Sequence, residues 1–346
     1  MTTIVGWDIG GVNVKAARLA WEYGEAKSIQ VASCPFEIWR AKDRLPEVLR
    51  AVMTQLSVEL PHVMAVTMTA ELSDVFVTKR EGVLYVVDNV LATFPNCASY
   101  ALDLSGKFVP LIEARTRPLD FAAANWLATA LFAAKSHPNC LLIDVGSTTT
   151  DIIPIVDGQV MCQGRTDVDR LMSGELVYTG AVRTHLAAVV QAVPVRGRTC
   201  PVSAEYFAIS GDVHLILGHL RADDYVFPTP DGRPPTIESA RQRLARLVCA
   251  DAEMLSAAEI DEMARYIHHQ QLGQISTAIL QVRSRLADRS DLPVVAMGSG
   301  AFIAAEAGRR LGLTVLDWEA QWGRDASAVA PCVAVAHLLA EQIEAA

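Results

Sequence analysis

The sequence predicts an α/β chain of two related lobes with a ligand cleft between them. Three observations carry that expectation. Ile4 to Leu19 runs apolar strand, acid at Asp8, glycine turn at Gly10 and Gly11, polar tip, apolar strand. Cys140 to Val156 repeats the pattern, with Asp144, Gly146, the hydroxyls Ser147, Thr148 and Thr149, and then Asp151. Aligned on their acids, the two hairpins are 144 − 8 = 136 residues apart, about one domain length.

Each turn brings small residues and free backbone N–H groups to its tip, which suits phosphate oxygens. Gly10, Gly11 and Asn13 are the candidates in the first hairpin, with Lys15 as a point charge; Gly146, Ser147, Thr148 and Thr149 are those in the second. Ordinary tight turns would explain the glycines, but not an acid two residues before each. Asp8, Asp144 and Asp151 are positioned to hold a Mg²⁺ ion through its water shell, since Mg²⁺ keeps most of its hydration and needs few carboxylates.

With 346 residues, 51% of them hydrophobic and 20% charged, the chain can fill roughly two cores. A net charge of −9 argues against nucleic acid or an anionic membrane as partner. No uninterrupted apolar run reaches the ~18 residues of a span, and the N-terminus enters a strand with no leader-like segment. Seven scattered cysteines without a Cys-x-x-Cys read as free thiols of a reducing cytoplasm. His268 and His269 are adjacent, so on a helix they diverge by about 100° and read as surface residues.

In chain order, Ser28 to Phe36 should complete an N-terminal meander, and Leu45 to Leu60 has helical spacing. His62 to Met68 reads as a strand ending in Thr69 to Asp74. Glu71 and Asp74 therefore fall beyond a strand's carboxyl end, where ligands sit in open α/β sheets, though loop acids that only cap or face solvent are as common. Gly82 to Asn89 and Lys107 to Leu111 are further strand candidates. Pro118 to Lys135 reads as a buried helix without a polar face, carrying Asn125, which bonds either a ligand or a neighbouring helix. Ser173 to Arg183 looks like a helix with a polar start, and Pro194 to Pro201 like a loop. From Ala204 to about Leu286 the chain is mostly helical and lacks a phosphate signature.

Leu292 to Gly308 reads as strand, glycine turn and helix, followed by a strand at Thr314 to Asp317 and a closing helix at Pro331 to Ile343. Gly298, Ser299 and Gly300 with Asp317 imitate a dinucleotide fingerprint, but Ile303 stands at its third glycine and too little chain follows. A turn that lets a flat ring lie on the backbone fits better. The expected organisation is an N-terminal lobe over 1–117, an inter-lobe helix over 118–137 and a C-terminal lobe over 138–346. The last includes an insertion at about 204–286 and the turn at 298–300.

With these residues in place, the chain resembles the superfold of actin, sugar kinases and Hsp70 ATPases, whose lobes are ribonuclease H-like. Asp8 to Lys15 matches its first phosphate motif, Asp144 to Asp151 its second, and Gly298 to Gly300 its adenosine-type turn. Within it the chain is similar to the hydantoinase/oxoprolinase-related group, and more narrowly to proteins linked to tetrahydromethanopterin-dependent one-carbon transfer. Gly6 to Lys15, Met68 to Asp74, Ala122 to Trp126, Gly174 to Gly180 and Ala204 to Phe207 carry that likeness. The resemblance implies a role in methanofuran or methylofuran biosynthesis, in which an (aminomethyl)furan-methyl group passes from its diphosphate to the phenol of a glutamyl-tyramine. Asp8, Glu71 and Asp144 would be catalytic, Asp74, Asn125, Asp169 and Glu175 would face substrate, Mg²⁺ would assist, and the substrate would be phosphorylated or diphosphorylated. An ATP-dependent kinase or ring-opening hydrolase and a nucleotide-switched regulator are the alternative functions, and a homo-oligomer is compatible with all three.

Overall fold

The computed structural model describes residues 1–58, 60–225, 227–289 and 291–345. The N-terminal sheet begins with the meander β1 (Thr2–Ile9), β2 (Asn13–Glu22) and β3 (Glu25–Pro35). It continues with β4 (Val63–Met68), β5 (Ala98–Leu102) and β6 (Phe108–Pro110), in the order β3-β2-β1-β4-β5-β6. β1 is buried from Ile4 to Ile9 and pairs antiparallel with β2 and parallel with β4, as a strand covered on both faces must. Helices α1 (Ile38–Ala41), α2 (Leu45–Gln55) and α3 (Lys79–Thr93) belong to this lobe.

After α4 (Asn125–Ser136) the second sheet repeats the plan: β7 (Cys140–Val145), β8 (Thr150–Val156), β9 (Gln159–Val160), then α5 (Asp167–Ser173) and β10 (Leu176–Val177). The hairpin β11 (Ala192–Val195) and β12 (Arg198–Pro201) leads into α6 (Ser210–Ile216), α7 (Ile237–Arg246) and the long α8 (Ala257–Ser284). β13 (Val294–Met297), α9 (Ala301–Arg310) and β14 (Val315–Asp317) complete the sheet, in the order β10-β8-β7-β13-β14. The chain closes with α10 (Trp318–Trp322), α11 (Arg324–Ala328) and α12 (Ala330–Glu344).

Between the sheets lie α4 and α12, in one apolar cluster that takes Ile4, Ala17 and Leu19 from the first sheet and Leu142, Ile153 and Val295 from the second. Although α12 follows the second lobe in sequence, it packs on β1 and β2. A side chain at Gly6 would come within 2.1 Å of the Cys332 carbonyl oxygen, so β1 accepts the helix backbone only because that residue is glycine. Among the described residues no helix is long and apolar enough to cross a membrane.

Four expectations are corrected. Gly82 to Asn89 is helical, within α3: Thr78 Oγ1 accepts from the Glu81 N–H at 3.2 Å, and Val83, Val86, Val87 and Val90 line one buried face. Burial of that stripe outweighs the β preference of the valines. Pro118 to Lys135 is not one helix; Ala123 takes φ +51° and separates a short 3₁₀ turn from α4. Ser173 and Gly174 end a helix rather than open one, because Gly174 is a left-handed C-cap with φ +76° and the capping box of Thr166 and Asp169 lies upstream. Pro194 to Pro201 is a hairpin, its tip formed by Arg196 and Gly197 with φ +49° and +72°, the pair of positive values that two-residue hairpin turns use. The sequence reading also passed over β5, a short strand without an alternating pattern.

Candidate active site

The two hairpin tips are built alike. Gly10 N–H donates to the Asn13 carbonyl at 3.0 Å, and Gly146 N–H donates to the Thr149 carbonyl at 2.9 Å. Each acid at the end of the first strand faces a charged cross-strand partner, Lys15 for Asp8 and Asp151 for Asp144. One tip is therefore an acid–base pair and the other an acid–acid pair.

The tips lie near enough to influence each other. Asp8 and Lys15 both act electrostatically on Asp144 across the lobes. Lys15 Nζ also donates to the Ala328 carbonyl at 3.1 Å, tying the first tip to the chain entering α12. Burial, then the negative charge of Asp151, pushes the half-buried Asp144 up to about 7. Asp8 is raised by burial against the pull of Lys15, and its buried Oδ1 has no hydrogen-bond partner among the described residues. Three carboxylates against the two cations Lys15 and Arg170, with an Asp8 oxygen left over, fit a hydrated Mg²⁺ ion. Asp151 gives one oxygen to Arg170 at 2.7 Å, and the Arg170 guanidinium lies 4.1 Å from the Trp126 ring centre.

Gly298 has φ +84°, and a side chain there would come 2.2 Å from Asp144 Oδ1. The Gly300 N–H donates to the Val145 carbonyl at 2.8 Å, so the turn is pinned to the end of β7, with Ser299 exposed at its crest.

Glu71, on a 3₁₀ turn after β4, is 2% exposed, and neither carboxylate oxygen has a hydrogen-bond partner among the described residues. Burial pushes it up to about 8, with Lys79 opposing and Asp167 and Asp8 reinforcing. Lys79 and Asp167 themselves bridge the lobes at 2.5 Å. Glu71 thus lies beside the inter-lobe seam as a neutral acid.

Other predicted site residues are placed elsewhere or committed. Glu175 is fully buried and accepts from Gln163 N, Gly164 N, Ser173 Oγ and Arg285 Nη2, which occupies it within its own lobe. Asp169 is the exposed capping-box acid of α5. Asp74 is exposed in the turn after Glu71. Asn125 is half-buried at the first turn of α4, where its carbonyl accepts from Thr129 Oγ1 at 3.2 Å.

Sequence reasoning missed Arg183. Its Nη1 donates to Thr148 Oγ1 at 3.1 Å, and its guanidinium lies between Phe227 at 4.4 Å and Trp39 of the opposite lobe at 5.9 Å. Its buried Nε has no partner among the described residues, which leaves a donor beside the second tip. The surface assignment of His268 is also corrected: it is 4% exposed on the buried stripe of α8, while His269 is exposed. A surface cavity of about 290 Å³ lined by Met1, Trp21, Tyr23 and Glu344 lies at the far end of β1 and β2 from the tips.

Residues 62–342 match the hydantoinase/oxoprolinase family. A relative from Methanocaldococcus jannaschii is 37% identical over 343 residues, covering 99% of this chain and 98% of its own length. It is named (4-{4-[2-(gamma-L-glutamylamino)ethyl]phenoxymethyl}furan-2-yl)methanamine synthase. A relative of the same name from Methanococcus vannielii is 34% identical over 212 residues, covering 60% of this chain and 93% of its own. Among solved structures, nucleotide-free acetone carboxylase superposes with a TM-score of 0.53 at 9% identity, over 97% of this chain and 70% of that one. That likeness concerns the fold, the two-lobed actin-like ATPase arrangement expected from the sequence.

Proposed function

The chain belongs to the hydantoinase/oxoprolinase family, and on that premise we propose that it is the synthase its full-length relative is named for. The product in that name contains an aryl–O–CH₂–furan ether. Making that bond requires a phenol oxygen to attack a furylmethyl carbon that carries a leaving group. A diphosphate is the leaving group that two facing phosphate tips favour. This would be a step in methanofuran-type cofactor biosynthesis.

In this reading the phenol oxygen of a glutamyl-tyramine bonds to the CH₂ carbon of (aminomethyl)furan-methyl diphosphate. The C–O bond to the diphosphate breaks, its electron pair leaves with the diphosphate, and the phenol proton passes to a carboxylate. The Gly10 and Gly146 N–H groups close their own turns, so the backbone N–H groups of Gly11 and Ser147, the hydroxyls of Ser147, Thr148 and Thr149, and Asn13, Lys15 and Arg183 stabilise the charge gathering on the leaving group. Preorganised donors of this kind usually supply the largest catalytic contribution. Asp8 and Asp144, with the free oxygen of Asp151, would hold the Mg²⁺ ion, which neutralises diphosphate charge when bound.

Glu71 is the proton acceptor in its ionised form, which is reached as pH rises toward about 8. A carboxyl at about 8 is better matched to a phenol near 10 than an ordinary carboxylate is. The observation that carries the proposal is the pair of like-built tips, near enough for Asp8 and Lys15 to act on Asp144, in a chain collinear with the named synthase. The test is to identify the phosphorus product formed from the two substrates. Pyrophosphate appearing in step with the ether, without ATP, supports the reading. ADP or phosphate formed from ATP would replace it with a kinase or hydrolase, and nucleotide binding with only slow turnover would indicate a regulator.

A further inference from the structure

We propose that His214, His219 and His268 form a second metal site, a three-imidazole site for a zinc-class transition ion in the C-terminal lobe. His214 lies on α6, His219 on the turn that follows, and His268 on α8, and one ring nitrogen from each lies within 4.8 Å of the others. The Nδ1 atoms of His214 and His219 are 3.5 Å apart. That is the edge of hydrogen-bond range, but close to the ~3.4 Å that separates two tetrahedral ligands at Zn–N distances of about 2.0–2.1 Å.

The surroundings fix the tautomers. Gln271 Nε2 donates to the Gly180 carbonyl at 2.8 Å and to Thr179 Oγ1 at 2.9 Å, so its Oε1 must be the atom facing His214 Nε2 at 2.9 Å. His214 therefore carries its proton on Nε2, and its Nδ1 offers a lone pair. His268 Nε2 lies 2.9 Å from a carboxylate oxygen of Glu306, so it too is the protonated nitrogen. Its Nδ1 is buried and has no hydrogen-bond partner among the described residues. An imidazole oriented by a carboxylate, with the opposite nitrogen turned inward, is the arrangement that metal-binding histidines use.

Burial, with the neighbouring imidazoles contributing, holds His214 well below the ordinary histidine range, and burial also lowers His219 and His268, which favours the neutral ligand form. Phe302 packs against the rings of His214 and His219, with centroids 4.9 and 5.1 Å away. Nitrogen-only ligation selects zinc, copper or nickel over Mg²⁺, so this site is chemically distinct from the carboxylates of the cleft. Three protein ligands leave a coordination position open.

The site backs onto the second phosphate tip. Gln271, which orients His214, also holds the carbonyl of Gly180, and the next residues, Ala181 and Val182, donate to the carbonyls of Gly146 and Ser147 at 2.9 and 3.0 Å. A bound ion would stiffen α6, α8 and this backing segment together.

The test uses the tag-free full chain, stripped with chelator and titrated with Zn²⁺ and Co²⁺ beside excess Mg²⁺. One equivalent should bind, Co²⁺ should give the d–d absorption of tetrahedral nitrogen ligation, and Mg²⁺ should not compete. His219→Ala, at an exposed position, should weaken binding at least 100-fold and abolish the cobalt bands, while Glu306→Gln weakens it about 10–100-fold. No saturable binding in the natural sequence overturns the proposal, as does unchanged binding in His219→Ala. Neither result bears on pyrophosphate formation, so this site and the synthase reading stand or fall separately.

Discussion

Replacing Glu71 with glutamine should make the protein more stable and less active, and the gain should grow with pH. An ordinary glutamate titrates near 4.5, whereas burial pushes Glu71 up to about 8. Between those values the unfolded chain has lost the proton and the folded chain keeps it. The native state binds more protons, so stability falls as pH rises through the window and levels off above about 8. Each pH unit is worth about 1.4 kcal/mol, so the burden is about 3 kcal/mol at pH 7 and about 5 kcal/mol above pH 8. Glutamine has nearly the same shape and no titration, and any constant cost of burying its amide cancels in the pH dependence. Urea unfolding of both proteins from pH 5 to 8.5 should therefore give a stability difference that shifts toward the variant by about 3 kcal/mol between pH 5 and 7. Ether formation by the natural sequence should climb toward an apparent pKa near 8, and that limb should vanish in the variant. A stability difference independent of pH would mean Glu71 titrates in the fold as it does in the unfolded chain, and its match to the phenol would lose its basis.

Gly298→Ala should abolish turnover and cost about 1–3 kcal/mol, since the new methyl meets Asp144 Oδ1 at a backbone with φ +84°; turnover and thermal unfolding together check it. Arg170→Met should cost about 3–5 kcal/mol by leaving Asp151 as a poorly solvated charge without its partner, read by urea unfolding. Arg183→Met should raise KM for the diphosphate substrate with little change in melting temperature, because the guanidinium supports the cleft rather than a core.

The hairpins were legible because their information is local: Asp, glycine and a polar tip stand within eight residues, and the same string recurs once. The inter-lobe contacts were not. Lys79 meets Asp167 over 88 residues and Arg183 reaches Trp39, and no spacing rule pairs such positions. Glu175 has the composition of a site acid, and only its four inward hydrogen bonds show it to be structural. Adjacency told only that His268 and His269 diverge by about 100°, not which of them is buried; the buried stripe of α8 passes through one and not the other. The valine-rich stretch of α3 misled for a related reason, since β-branched residues signal a strand until a cap and a buried face make them helical.

A crystal structure of the protein with pyrophosphate and Mg²⁺ tests the central claim most directly. The diphosphate should span the lobes, one phosphoryl group at the Gly11 N–H and the other at the Ser147 N–H, with the ion beside Asp8 and Asp144. Pyrophosphate bound to one tip alone, or outside the cleft, would contradict it.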